Sequence, residues 1–90
     1  MPQAAQQTSV PALDPATVVR RAALTNAESG VFRCVGRGLP NKAIAARLLC
    51  TESSVEAAIV RIRQKITRVT GQDAYTRVEL AMIAAALPTA

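Results

Sequence analysis

From Glu52 to Arg68 the chain reads ESSVEAAIVRIRQKITR, and its polar and basic residues recur at helical spacing. At about 100° per residue, Val55, Ile59, Ile62 and Ile66 share one face of a helix. The opposite face then carries Ser53, Ala57, Val60, Arg61, Gln64 and Arg68, with Glu56 and Arg63 at a flank. These side chains suit the edges of base pairs. Gln64 can pair bidentately with adenine, Arg61 with guanine or phosphate, and Ala57 and Val60 can touch thymine methyl groups. Ser53 and Ser54 open the helix, where backbone N–H groups and the helix dipole favour a phosphate. Lys42 and Lys65 are further candidates for contacting phosphate. Glu56 can accept from a cytosine amino group or pair along the helix with Arg63, but near phosphate it lowers general affinity. A plainer reading of Arg61, Arg63, Lys65 and Arg68 is an ordinary solvated basic face.

Several elements must position that helix. Thr51 is a good N-cap for it, with Glu52 in the first turn, and TGQDA (70–74) breaks it after about residue 68. Before it, NKAIAARLL (41–49) spaces Ile44, Ala45, Leu48 and Leu49 as a short helix, joined by the tight turn CTE. Further back, Thr25 and Glu28 form a T-x-x-E capping box, and Leu24 can staple onto the helix that Val31, Phe32 and Val35 stripe. Gly38 supplies a left-handed stop and Pro40 a restart, while Gly30 weakens the helix interior. Asp14 and Pro15 can start a short helix near 14–21. The Gln-, Ala-, Ser- and Pro-rich stretch before it reads as a flexible tail, placed at residues 1–19. An alanine-rich helix over about 74–87 closes the domain, and no strand signal or internal repeat appears.

Composition narrows the partners. Ninety residues with one Phe, one Tyr and no Trp build a single small core from Ala, Val, Ile and Leu. The net charge of +5 points to an anionic partner, nucleic acid before a membrane surface. The longest apolar run, LAMIAAAL (80–87), is far short of the roughly 20 residues a membrane span needs. The N-terminus has neither a basic n-region nor an apolar h-region, so the expected location is cytoplasmic. Two cysteines and no histidine give no disulfide framework or metal knuckle, and Cys34 and Cys50 are expected to be reduced and mostly buried. Without histidine, paired carboxylates or a phosphate-binding glycine loop, neither catalysis nor a cofactor is expected.

Two short helices, a tight turn and a longer capped helix make a helix-turn-helix over about 41–66. The residues from Leu24 to Ile66, LTNAESGVFRCVGRGLPNKAIAARLLCTESSVEAAIVRIRQKI, resemble the LuxR-type (GerE-like) helix-turn-helix domain without a gap. That family reads roughly LTxREREVLxLxAxGxSNKEIAxxLxISExTVKxHxxxIxxKL, and TRVEL (76–80) is similar to its SRxEL segment. The resemblance implies an all-α, four-helix domain over residues 20–90 and a bacterial transcription regulator. Its recognition helix, about 52–68, would enter the major groove of double-stranded DNA. It also implies a homodimer through the last helix, for which Leu80, Ile83, Ala84 and Leu87 offer an apolar surface. With only about twenty residues ahead of the motif, a standalone small member is expected.

Departures from the pattern keep a second reading open. Glu56 replaces a lysine, Ala58 a histidine, Ala27 an arginine, Gly30 a glutamate and Ser54 a threonine, and the loop before the last helix is longer. With Ala57 and Val60 facing outward, the same frame suits a protein-binding adaptor or antagonist docking on another regulator or RNA polymerase.

Overall fold

Thr25, Thr51 and Thr76 begin three helices by the same chemistry. Each hydroxyl accepts the backbone N–H three residues on, from Glu28, Ser54 and Glu79, all at 3.1 Å. Glu28 and Glu79 return the bond to the Thr25 and Thr76 backbone N–H at 3.0 and 2.9 Å, completing two capping boxes. The computed structural model describes residues 14–87, in which these caps and two further starts give five helices. They are α1 (Pro15–Ala22), α2 (Asn26–Gly36), α3 (Asn41–Leu48), α4 (Glu52–Thr70) and α5 (Arg77–Ala85). No strand occurs among the described residues.

The core lies where α2, α3, α4 and α5 meet. The fully buried Phe32, Ile44, Val55, Ile62, Ile66 and Leu80 come from α2, α3, α4 and α5. α1 packs on α4, α3 lies against both α2 and α4, and α5 packs chiefly on α2. Val18 and Ala22 of α1 belong to the core. Residues 15–19 are therefore part of the folded unit rather than of a tail reaching to residue 19, because the apolar face of α1 needs α4 to cover it. Asp14 caps α1, and residues 1–13 lie outside the described residues.

Other expectations are refined. α4 runs two residues past 68 because the Thr70 hydroxyl donates to the Ile66 carbonyl at 3.1 Å, and Gly71, at φ 77°, closes the helix on the Thr67 carbonyl. The last helix covers Arg77–Ala85 rather than 74–87, since Thr76 caps it and Tyr75 is buried ahead of the cap. Cys34 is buried as expected, but Cys50 is exposed in the turn after Leu49, so only one of the two free thiols is in the core. Leu80 and Ala84 also depart from their assigned place. They are buried within the chain, and Ile83 and Leu87 are half-buried against the same core. α5 needs that face to cover α2, and its exposed large apolar residues are Val78 and Met82.

Gly36 is where α2 and α5 come closest. A Cβ built there would stand 2.7 Å from Ala84 Cβ and 3.1 Å from the α5 backbone. At Gly30 an added Cβ would meet only the Leu48 methyls, at 3.7 and 3.8 Å. The two glycines should respond in opposite directions. Gly30→Ala is expected to stabilise by about 1 kcal/mol, through helix propensity alone. Gly36→Ala should destabilise by about 1–3 kcal/mol, because α5 must shift. Thermal unfolding followed by circular dichroism checks both, and equal melting temperatures for the two variants would refute the packing.

Candidate nucleic-acid interface

Helix α4 is divided cleanly. Val55, Ala58, Ile59, Ile62 and Ile66 are buried, while Ser53, Ser54, Glu56, Ala57, Val60, Arg61, Gln64 and Arg68 are exposed. Lys65 is half-buried. The turn that precedes α4 is set by Leu49 in the left-handed region at φ 57°, closed by Cys50 N–H on the Ala45 carbonyl at 2.9 Å. Lys42 is exposed in the first turn of α3. The exposed strip of α4 is thus small and apolar near its start, then polar and basic.

One group shapes this strip and was not foreseen from the sequence, where it reads only as a capping residue. Glu28 is 2 % exposed. Its Oε2 accepts from Arg61 Nε at 3.1 Å, and its Oε1 accepts from Lys65 Nζ at 2.6 Å as well as from the Thr25 backbone N–H. Burial by itself would raise the carboxyl pKa. The bonds from Lys65, the Thr25 backbone and Arg61, with the charge of Lys65, outweigh burial and hold it at about 2, against an ordinary 4.5. The signal lay in the spacing: Glu28 precedes Val31, Phe32 and Val35 on the buried stripe of α2, and a buried carboxylate demands cationic partners.

Arg61 and Lys65 are therefore not simply free cations. Lys65 spends its ammonium on Glu28 and is 23 % exposed in its side chain, against 54 % for Arg61. Arg61 gives Glu28 its Nε, and the two terminal NH2 groups of a guanidinium remain as further donors. The pair with Arg63, one of the two roles open to Glu56, is not formed. Arg63 Nε donates instead to the Tyr75 carbonyl at 2.6 Å, and the Tyr75 hydroxyl donates to Thr70 Oγ1 at 2.8 Å. This network folds the loop back along α4, and it leaves Glu56 exposed on the flank. Arg77, another residue the sequence did not single out, donates to Asn41 Oδ1 at 2.7 Å and to the Leu39 carbonyl at 2.8 Å. It ties α5 to the start of α3, beside Lys42.

Comparison with known proteins identifies the frame. The family model GerE, described as bacterial regulatory proteins of the luxR family, matches residues 22–84. No curated protein and no solved structure gives a match. Among the described residues, no helix is long and apolar enough to cross a membrane.

Glu28 makes stability depend on acid. Its folded pKa lies below the ordinary value, so the ionised group stabilises the fold above about pH 4.5, and that contribution is lost as pH falls towards 2. Urea unfolding midpoints measured across this window should fall more steeply for the parent than for Glu28→Gln, which should also be the less stable protein at neutral pH. Parallel curves for the two proteins would show that the buried carboxylate is not the titrating group.

Proposed function

The chain belongs to the luxR family of bacterial regulatory proteins, and on that premise we propose that it is a DNA-binding transcription regulator that lays α4 in the major groove. The observation that supports this most is the division of α4. Its apolar side is consumed by the core, and its outer side offers Arg61 and Gln64 for base edges, with Ala57 and Val60 for thymine methyls. Lys42, Ser53, Ser54 and Arg68 flank them as phosphate ligands, and Lys65 contributes charge while holding Glu28. We infer a cytoplasmic protein whose partner is double-stranded DNA, in keeping with the family. Because Glu28 engages two cations and Glu56 replaces a lysine, affinity rests on fewer phosphate contacts and the salt slope is shallow.

We assign dimerisation to α5, on its outer side. Val78 and Met82 lie one turn apart and are 68 % and 67 % exposed, which suits a two-fold contact between copies. Two-fold symmetry then gives a pseudo-palindromic site.

A second reading draws on exposed apolar side chains near the turn. Leu49 is 91 % exposed and Val60 47 % exposed, which also suits an adaptor that docks on another regulator or RNA polymerase.

Selection from random duplexes at low salt, followed by fluorescence anisotropy, separates the two. Groove entry predicts a recurring palindromic motif. Arg61→Ala should then weaken binding about 10- to 100-fold and relax one base position, while Lys42→Glu should weaken all sequences alike. Absence of any duplex binding, with a co-purifying partner lost on Val60→Asp, would favour the adaptor instead. For the dimer, Met82→Glu should shift the sedimentation equilibrium from dimer to monomer with the helical content unchanged. An unshifted equilibrium would place the contact elsewhere.

A further inference from the structure

Where α2, α3 and α4 meet, Ala27, Gly30 and Ala58 contribute almost no side chain, and a cleft of about 320 Å3 lies between them. That volume is at the lower end of the range for small-molecule sites, about 300–1,000 Å3. Leu48, Cys50 and Arg61 also line it. The packing does not require the cleft. A Cβ at Gly30 would reach only the Leu48 methyls at ordinary contact distance, and glycine is disfavoured within a helix, so alanine would fit and would hold the helix better. The lining is apolar except for a few groups, of which Arg61 carries charge. Two cations, Arg61 and Lys65, share the single carboxylate of Glu28, so this cluster keeps a net positive charge. Arg61 meets Glu28 through Nε, which leaves its terminal NH2 groups as a planar pair of donors suited to a second carboxylate.

We propose that this cleft is a binding site for a small carboxylate with an unbranched apolar body. The hydrocarbon lies against Gly30, Leu48 and Ala58, and the carboxylate is held by the terminal nitrogens of Arg61. The site adjoins the groove-facing strip of α4 and shares Arg61 and Ser54 with it. Its existence does not depend on DNA binding, and the test uses none.

The probes are butanoate, hexanoate, octanoate and decanoate, with octan-1-ol as the uncharged control, titrated into the full chain and followed by two-dimensional 1H–15N NMR. At least one carboxylate should give saturable shifts confined to the amides of Ala27, Gly30, Leu48 and Ala58, with a dissociation constant of about a millimolar, the scale for a ligand of this size. Octan-1-ol should bind several-fold more weakly than octanoate. Gly30→Leu fills the cleft, and Ala27→Leu narrows it from an exposed position that does not bear on folding. Both should abolish the shifts with the melting temperature undiminished. Arg61→Gln should reduce carboxylate binding to the level of the alcohol. The proposal is overturned if no carboxylate saturates these amides, if the alcohol binds as well as the acid, or if Ala27→Leu binds as the parent does.

Discussion

A single buried carboxylate sets the geometry on which the rest of this small protein depends. Glu28 sits in the first turn of α2, almost wholly out of solvent, and both of its oxygens are engaged. A charge removed from water must be matched by donors of good geometry, or the fold loses several kcal/mol, on the order of the whole stability of a domain this size. The match here comes from one backbone N–H and from two side chains one helical turn apart on α4. The apolar stripe of Val55, Ile59, Ile62 and Ile66 sets which side of α4 faces inward. The two bonds from Arg61 and Lys65 add directional contacts that tie that helix to Glu28 on α2.

The same bonds set a limit on the outer surface. Lys65 is committed to the fold, Arg61 is shared, and Arg63 is turned to the Tyr75 carbonyl. Of the cations along α4, only Arg68 is exposed with no hydrogen bond to another described residue. On the proposed reading, recognition by this helix leans on Gln64, on the spare donors of Arg61 and on small apolar contacts, more than on charge. Around it, Arg77 clamps the start of α3 and Tyr75 anchors the end of α4, so the pair of helices that forms the turn is held at both extremities.

Local signals carried much of the fold. The caps at Asp14, Thr25 and Thr51, the left-handed residue at Gly38 and the break at Gly71 all act within three or four residues, and they are visible in the one-dimensional pattern. So is the apolar face of α4, because Val55, Ile59, Ile62 and Ile66 recur at a period only a helix satisfies. The misplacements have a common origin. Leu80 and Ala84 belong to an alanine-rich helix whose several faces look alike in sequence, so which of them meets α2 is decided by the close approach at Gly36. Cys50 looks like a small core residue, yet it falls in the turn after Leu49 and is exposed there.

By itself, then, the sequence determined an all-helical domain, the position of its turn, the inner face of the long helix and membership of a regulator family, since each is written in short-range spacing. Only the tertiary structure decided which cations remain available, which side of the last helix is free and where a cleft opens. Those outcomes rest on pairs far apart in the chain, such as Glu28 with Lys65 and Gly36 with Ala84. Their meeting follows from the packing angle of whole helices, which no local pattern encodes.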